Sequence, residues 1–470
     1  MSSLLTSYPG ACTTKFTHSP DPLVLPTKSG PARAFPELCK DITPPCNLNP
    51  FLFNGHLQTA WTAVKFDGPP VHYKRRTFSA EDPNFKGHFT IDLVVAPPAN
   101  PQARKQAEDG GPEDSGLRED PVGVGHTKLP PRTTYFTDNE FEALPSADTK
   151  PLLITLHGLS GGSYEVYLRH VLAPLVSQTL PKGSVPGLSG GEWECLVVNS
   201  RGCAGSKITT SALYNARATW DVRQVVKWCR KTWPKRPLFG VGYSLGANIL
   251  TNYIAEEGSS CLLSAALIVS NPWKLEVSSI SLQRTWVGRE IYSKTMGRSM
   301  LALFSTHRAQ ILQNASISES RIQKAIFLHE FDREVQCATW GYPTEGAYYR
   351  DASSADSVLA IRIPVLALHA EDDPIACDEA VPYEEIRQNP YTVICATSGG
   401  GHLSWFEFGG ERWHSKPAVA FLNAMAREVD FEKLRSEAVA PEAKGPRGGH
   451  KTPFVFEPMR RKMHVPGSDQ

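Results

Sequence analysis

The chain of 470 residues contains no run that approaches the roughly 20 apolar residues of a membrane-spanning helix. Its beginning, Met1 to Pro9, includes no basic residue and no long apolar stretch, so the sequence predicts neither a secretory signal nor a membrane anchor. With no transmembrane segment expected, peripheral association is the form of membrane contact that the sequence leaves open.

An excess of charge of one sign is also absent. The chain carries 49 Lys and Arg residues against 48 Asp and Glu residues, a formal net charge of +1. Because a nucleic-acid site needs a concentrated basic surface, this balance gives no electrostatic reason to expect nucleic acid as a partner.

Cysteine is sparse, with 10 in 470 residues. Cys195 and Cys395 fall within predicted strands, where a free thiol behaves as a small hydrophobic group. Cys39 and Cys46 lack a second pair at zinc-ligand spacing, so the sequence predicts no metal site, and it contains no pattern that predicts a cofactor. This cysteine usage favours a reducing compartment and an intracellular protein, either cytoplasmic or associated with lipid.

The most informative segment that is present runs from Gly242 to Gly246, with Ser244 at its centre. An apolar run predicts a strand before it, and the stretch from Ala247 to Glu257 predicts a helix after it. A Gly-x-Ser-x-Gly pattern alone is more often an ordinary turn. Between a strand and a helix it predicts a strained turn that exposes the Ser244 hydroxyl as a nucleophile.

A nucleophilic serine needs a general base and a carboxylate that orients the base, and in this arrangement both follow the serine along the chain. The run from Pro364 to Ala370 predicts a buried strand, and an acidic turn ends it. We select Asp373 as the acid because Pro374 stops the chain directly after it and because it lies three residues beyond the small Ala370. Asp372 is the alternative.

The base is predicted from the next strand, Tyr391 to Ala396, which leads to Gly399-Gly400-Gly401-His402. Three glycines allow the loop to fold His402 back over the edge of the sheet. A histidine in a loop is by itself more often a packing or surface residue. Its place after the serine and the acid makes His402 the candidate base.

Two backbone N–H groups are expected to form an oxyanion hole. A buried strand, Leu152 to Leu156, ends in His157-Gly158, and the N–H of Leu159 would pair with the N–H of Leu245 after the serine. Small residues follow Leu159, so a substrate acyl group can approach the main chain closely.

Strands and helices alternate from Leu152 onward, which predicts a mostly parallel sheet with helices on both faces. We expect an N-terminal arm over residues 1–70, a catalytic domain over 71–425 and a polar tail over 426–470. A hydrophilic insertion at 97–148 is expected to be mostly mobile.

Helical sequence at 273–349 interrupts the alternation and predicts a cap, with a capping box from Ser316 to Glu319. Some of its apolar residues are candidates for an acyl pocket, although a helical apolar stripe is more often plain packing. These candidates are Trp286, Ile291, Tyr292, Met296, Met300, Leu303 and Phe304.

Several segments together resemble one branch of the α/β-hydrolase superfamily, that of the yeast medium-chain fatty acid ethyl ester synthase/esterases. The branch-specific segment is Asn54 to Thr59, which reads Asn-Gly-His-Leu-Gln-Thr. The likeness also rests on the His157-Gly158-Leu159 loop, on Asn199 to Ser206 followed by Thr209-Thr210 and Tyr214, on the serine turn, and on Asp372-Asp373-Pro374 and Gly400-Gly401-His402. It covers about residues 49 to 410.

The resemblance implies the α/β-hydrolase fold and an acyl-enzyme on Ser244, formed from a medium-chain acyl ester or acyl-CoA and passed to water or an alcohol. Two alternatives stay open: an acyltransferase or thioesterase that tailors a specialised metabolite, and a non-catalytic binding protein of the same fold. For His56, Arg201 and Asp221 in the resembling segments, a structural role is expected first.

Overall fold

The computed structural model describes residues 9–65, 67–98, 129–176, 192–437 and 458–463. Its strands are Ala11–Cys12 (β1), Thr14–Thr17 (β2), Val24–Leu25 (β3), Arg33–Ala34 (β4), Cys46–Asn47 (β5), His72–Ser79 (β6), His88–Val95 (β7), Thr133–Tyr135 (β8), Leu152–Leu156 (β9), Glu194–Asn199 (β10), Leu238–Tyr243 (β11), Ala265–Val269 (β12), Val365–Ala370 (β13) and Thr392–Thr397 (β14).

Its α-helices outside the cap are Phe35–Asp41 (α1), Gly55–Trp61 (α2), Asp138–Glu142 (α3), Val166–Val176 (α4), Thr219–Thr232 (α5), Leu245–Glu257 (α6), Tyr383–Gln388 (α14), Ser415–Glu428 (α15) and Phe431–Glu437 (α16). The cap contains Leu275–Arg284 (α7), Lys294–Thr306 (α8), Arg308–Ile311 (α9), Glu319–Ile322 (α10), Leu328–Phe331 (α11), Cys337–Trp340 (α12) and Glu345–Ala352 (α13). Two π-helical segments, Gly288–Ser293 and Asp332–Gln336, interrupt these cap helices.

The described residues form one large sheet with the strand order β2-β14-β13-β12-β11-β9-β10-β7-β6-β8. The six strands from β14 to β10 in this order are parallel to one another. β2 at one side, and β7 with β6 at the other, pair antiparallel. The expected mostly parallel sheet is therefore present, and β6 and β7 form an antiparallel hairpin in it.

Helices cover both faces of this sheet and bury a separate apolar layer on each. On one face, Leu168 and Leu172 of α4 and Phe421 of α15 pack in a cluster with side chains of the central strands. On the other face, Val225 of α5 and Leu250 of α6 belong to the second cluster. Because strands buried on both faces favour apolar residues at most positions, the central strands read as largely hydrophobic runs.

The N-terminal arm does more than cover the core. Its strand β2 joins the main sheet as an edge strand, with Cys395 of β14 opposite Phe16. The last part of the predicted insertion contains regular structure, because β8 pairs with β6 and Thr137 caps α3 with a capping box. Residues 99–128 of that insertion lie outside the described residues.

One further expectation needs correction. The capping box from Ser316 to Glu319 does not form, because the helix begins at Glu319 and Ser318 makes no capping hydrogen bond. The predicted polar tail includes the helix α16, in which Leu434 is buried. In the described part of the chain, no helix is both long and apolar enough to cross a membrane.

Candidate active site

Ser244 lies in the tight turn between β11 and α6, with a φ of 51°. The flanking glycines are required by close packing. A Cβ on Gly242 would lie 2.6 Å from the Cα of Ala247, and a Cβ on Gly246 would lie 2.4 Å from the carbonyl oxygen of His157. Backbone strain of this kind persists only where the surrounding structure imposes it, and it holds the serine side chain at the end of the central strand.

The structure brings the three predicted side chains together. The Ser244 Oγ lies 2.8 Å from the His402 Nε2, and the His402 Nδ1 lies 2.8 Å from the Asp373 Oδ2. The side chain of Asp373 is fully buried, and its Oδ1 accepts hydrogen bonds from the N–H groups of Ile375 and Ala376, each at 2.8 Å. These donors fix the direction of the carboxylate toward the histidine.

Asp372, the alternative acid, has a different place. Its Oδ1 accepts a hydrogen bond from the N–H of Gly401 at 2.9 Å, directly before the histidine. Burial raises the pKa of the Asp372 carboxyl, and the neighbouring Asp373 charge adds to this effect. Asp372 therefore shapes the loop that carries His402 and does not contact the imidazole in this arrangement.

The branch-specific segment Asn54 to Thr59 supports the same loop from outside the sheet. The Thr59 Oγ1 accepts a hydrogen bond from the His402 N–H at 2.9 Å. Gln58 is fully buried, and its side chain bonds to both the N–H and the carbonyl of Phe406. A Cβ on Gly55 would lie 1.8 Å from the Asp372 carbonyl oxygen, so only glycine fits there. The helix α2 thus positions His402.

The predicted oxyanion loop borders the serine, because a Cβ on Gly158 would lie 3.4 Å from the Cβ of Ser244. Two tyrosine hydroxyls engage the N–H groups on either side of Leu159. Tyr167 accepts from Gly158 at 2.8 Å, and Tyr214 accepts from Ser160 at 2.9 Å. The Leu159 N–H therefore lies between two N–H groups that already have acceptors.

The second predicted donor is the N–H of Leu245, the first residue of α6. The first N–H groups of a helix have no acceptor within the helix, and they favour negative charge near them. Among the hydrogen bonds of the described residues, neither the Leu159 N–H nor the Leu245 N–H has an acceptor. Both residues line the same pocket as Ser244, so the arrangement can receive an oxyanion there.

His157 holds the start of this loop, and its contacts allow only one tautomer of its ring. Its Nδ1 lies 2.7 Å from the Gly158 carbonyl, which can only accept, and its Nε2 accepts from the Ser200 N–H at 3.1 Å. Burial lowers the pKa of His157 to about 4. The neutral ring therefore persists at neutral pH and holds the two strand ends together.

Two buried ion pairs bind the surrounding loops. Arg75 pairs with Asp92 at 2.7 Å with both side chains fully buried, and Asn199 donates to the same carboxylate. Arg201 pairs with Asp221 at 2.7 Å. The structural role expected for Arg201 and Asp221 agrees with this pairing, since each is the other's partner.

His56 also contacts a side chain of the cap. Its Nδ1 lies 3.0 Å from the Tyr292 hydroxyl, and the two rings stack. Burial raises the pKa of Tyr292 to about 12, with a smaller contribution from the Asp373 charge. This contact joins α2 to the cap close to the acid.

A pocket that is partly open to solvent leads from Ser244 into the cap. Its apolar wall includes Leu275, Leu282, Met296, Met300 and Leu328. Of the predicted pocket residues, Met296 and Met300 line this space.

The other predicted pocket residues lie elsewhere. Trp286 and Ile291 are exposed, by 72% and 45%, and Tyr292 contacts His56. Leu303 and Phe304 pack within the cap, in a cluster that also contains Met300. An apolar helical stripe therefore identified the cap interior but did not separate lining residues from packing residues.

Sequence reasoning missed the positioning residues Gln58, Thr59, Tyr167 and Tyr214, and it missed Asp332 in the pocket. Thr59 is 343 residues from His402 along the chain, and no local pattern reveals such a contact. The only signal was that Gln58 and Thr59 belong to the branch-specific segment, and Tyr214 to the segments that carry the resemblance.

Comparison with known proteins identifies the family of the chain. The family described as α/β hydrolase fold matches residues 151–407. A monoacylglycerol lipase of Saccharomyces cerevisiae is 34% identical over 86% of this chain and 85% of its own length. The medium-chain fatty acid ethyl ester synthase/esterase 2 of the same yeast is 31% identical over 80% of this chain and 84% of its own.

A shorter match is found with the phospholipase ABHD3 of Mus musculus, which is 31% identical over 58% of this chain and 62% of its own length. The family match includes the serine, the acid and the histidine of the hydrogen-bonded chain, as well as the loop that contains Leu159. From the family match and the extent of the yeast similarities, the chain belongs to the α/β-hydrolase fold family.

Proposed function

We propose that the protein is a serine esterase that forms an acyl-enzyme on Ser244. The observation that carries this proposal is the continuous hydrogen-bonded chain from Ser244 through His402 to Asp373, which opens into an apolar pocket. A binding protein would not need a strained serine turn aligned with a buried carboxylate.

In this mechanism the His402 Nε2 takes the proton of Ser244 as its Oγ attacks the ester carbonyl. Asp373 holds the Nδ1–H tautomer and stabilises the imidazolium that forms. The N–H groups of Leu159 and Leu245 stabilise the oxyanion, and loss of one such donor typically costs about 3 to 4 kcal/mol. His402 then protonates the leaving alcohol, and water or a second alcohol releases the acyl group by the reverse steps.

The substrate class that we propose is an ester of a medium-chain acyl group, with water as the principal acceptor. The apolar wall of Met296, Met300 and Leu282 is suited to a hydrocarbon chain. The two yeast relatives are named as a lipase and as a synthase/esterase. Transfer from an ester or an acyl-CoA to an alcohol uses the same acyl-enzyme, and the acceptor decides the outcome.

Exposed apolar side chains beside the histidine loop favour action at a lipid surface. We name the set the apolar rim: Phe51, Phe53, Leu57, Trp61, Val64 and Phe408. Phe51 and Phe53 are 76% and 78% exposed. The rim adjoins the site because α2 contacts the histidine loop through Thr59 and Gln58. Aromatic side chains are typical of surfaces that enter a membrane interface.

Covalent labelling tests the esterase proposal. A fluorophosphonate probe should label the parent protein, and Ser244→Ala should abolish the label. Turnover of a medium-chain ester without labelling, or labelling that survives Ser244→Ala, would contradict the proposal. An acyl-CoA and ester panel with added ethanol, read by mass spectrometry, then measures transfer against hydrolysis.

The apolar rim has its own test. Phe51→Ser with Phe53→Ser should lower activity on esters in phosphatidylcholine vesicles several-fold, because each change removes apolar burial in the lipid. Activity on a soluble short ester is the reference. The matched control is Val24→Ser, which changes another exposed apolar residue on β3. An equal loss on both substrates would argue against a role at the interface.

A further inference from the structure

The pocket that leads from Ser244 has a polar part that the proposed chemistry does not use. Its lining is largely apolar, but the polar residues in it include Asn215, Ser278, His329, Asp332, Gln336 and Tyr349. Asn215, Asp332 and Gln336 are 1%, 6% and 3% exposed, so their polar groups are withdrawn from bulk solvent. A chain-binding pocket needs no such groups, and burying them against hydrocarbon is costly.

The direction of two amides is fixed by their partners. The Gln336 Nε2 donates to the Tyr214 carbonyl at 3.1 Å, and a carbonyl can only accept, so the Gln336 Oε1 is the free end. The Asn215 Oδ1 accepts from the Arg217 N–H at 2.8 Å, so the Asn215 Nδ2 is the free end. Both free atoms are buried and have no hydrogen-bond partner among the described residues.

These two amides are close neighbours. Asn215 follows Tyr214, whose carbonyl holds Gln336. Both residues line the pocket, so a buried free donor, the Asn215 Nδ2, and a buried free acceptor, the Gln336 Oε1, belong to adjoining residues of its wall.

Asp332 adds a third group one helical turn before Gln336, in the segment Asp332–Gln336. Its Oδ2 accepts from the Tyr349 hydroxyl at 2.6 Å. Burial raises the pKa of Asp332 to about 7, so near neutral pH this carboxyl exchanges between a form that can donate and a form that only accepts.

A group that satisfies a donor and an acceptor at once must itself donate and accept. A hydroxyl does both, whereas a hydrocarbon does neither and a ketone or ester oxygen only accepts. Leaving such buried partners unpaired typically costs about 1 to 3 kcal/mol for each group.

We propose that Asn215, Asp332 and Gln336 form a hydroxyl-binding subsite, so that the preferred ester carries a hydroxyl group in the part that the cap encloses. This inference rests on the proposed esterase function and specifies its substrate. The hydroxyl belongs either to the alcohol portion of the ester or to its acyl chain, and the two sources are separable by choice of substrate.

The test compares kcat/KM for ethyl decanoate, glyceryl monodecanoate and the ethyl ester of an ω-hydroxydecanoate. At least one hydroxylated ester should exceed ethyl decanoate by about tenfold or more, as expected when a substrate group pairs buried polar partners. A preference for the glyceryl ester places the hydroxyl on the alcohol side, and a preference for the hydroxyacyl ester places it on the acyl side.

Two conservative variants should reduce that ratio to near one. Asn215→Asp keeps the oxygen that caps Arg217 but replaces the free donor by an acceptor, and Asp332→Asn keeps an acceptor for Tyr349 but removes the acid. Because the ratio compares kcat/KM for two esters with the same variant, a general loss of activity does not change it. Met296→Leu, which alters the apolar wall of the same pocket, is the control and should retain the ratio.

A binding measurement keeps the subsite testable apart from catalysis. In the Ser244→Ala protein, a decanediol should raise the thermal midpoint more than decanol does, and Asn215→Asp should remove the difference. Equal ratios for all three esters in the parent, or a preference that survives both variants, would overturn the subsite while labelling of Ser244 still supported the esterase. Failure of labelling would overturn the esterase, and the diol comparison would still decide the subsite.

Discussion

The edge of the sheet that carries Ser244 and the cap that covers it differ in how their polar groups are satisfied. At the sheet edge, Asp373 has three partners and the His402 loop is held by Thr59 and Asp372. In the cap, the buried Gln336 Oε1 has no partner among the described residues, and the Asn215 Nδ2, in the loop before α5, has none either. Satisfied networks fix geometry, whereas unsatisfied groups are available to a ligand.

The difference indicates that the two regions have separate roles. The sheet edge is preorganised for one reaction, since its reacting atoms are already within hydrogen-bonding distance. The cap contains two π-helical segments among its α-helices. Such π-helical segments are frequent at functional sites. We therefore expect changes at the sheet edge to lower turnover for every ester and changes in the cap to alter the choice among esters.

The largest effect is expected for the nucleophile and the base. Ser244→Ala and His402→Ala should each lower kcat by about 10⁵ to 10⁶, because members of a triad act as one unit. The double variant should be hardly worse than either single variant. Additive losses measured with p-nitrophenyl octanoate would mean that the two residues act independently.

The next effect separates the two adjacent acids. Asp373→Asn should lower kcat by about 10⁴ because the wrong histidine tautomer is then stabilised. It should also change the pH dependence of kcat/KM, which a purely structural residue would not do. Asp372→Asn is the matched control and should cost far less, since its contact is with the Gly401 N–H. The reverse order would assign the orienting role to Asp372.

The two regions should also respond to pH in opposite directions. His157 has a folded pKa of about 4, below its unfolded value of 6.5, so its contribution to stability is present above pH 6.5 and is lost as the pH falls toward 4. Asp332 has a folded pKa of about 7, above its unfolded value of 3.8. The free energy of unfolding therefore falls as the pH rises from about 4 to about 7, because ionisation of Asp332 favours the unfolded chain.

This contrast is measurable with Asp332→Asn, which cannot ionise. The free energy of unfolding of the variant, relative to the parent, should rise by up to about 1.4 kcal/mol for each pH unit between about 4 and about 7. Urea unfolding at several pH values gives this difference. A difference that is independent of pH would show that Asp332 has an ordinary pKa in the folded protein.

The smallest effect concerns chain length. Met300→Trp should shorten the preferred acyl chain, because each excluded methylene costs about 0.8 kcal/mol of burial, or about fourfold in selectivity. Ile291→Trp is the control, since Ile291 is exposed on the cap and does not line the pocket. The readout is kcat/KM across p-nitrophenyl esters of increasing length. An equal shift in both variants would remove Met300 from the acyl site.

The accuracy with which the sequence predicts structure and site residues also differs between these regions. The serine turn and its downstream partners could be placed because each follows a strand of mostly apolar residues, such as Val365–Ala370. The choice of Asp373 over Asp372 came from spacing and agrees with the observed contact to His402. The domain boundaries stay a prediction.

The cap was predicted less well because its signals are short and local. Met300 and Phe304 are both buried and one turn apart, yet only Met300 lines the pocket. The Ser316 capping box failed since the Ser316 N–H is bonded to the Asn314 side chain and the helix begins later. The support of His402 by α2 depends on contacts between distant segments, which no local pattern contains.

The central claim is that Ser244 at the sheet edge carries the acyl group during turnover. The direct measurement is rapid quenching of the parent protein with p-nitrophenyl octanoate, followed by peptide mapping of the acylated residue. The account predicts a burst of p-nitrophenol and an octanoyl group on Ser244 alone, with both absent in Ser244→Ala. An octanoyl group on another residue, or steady turnover in Ser244→Ala at the parent's rate, would contradict it.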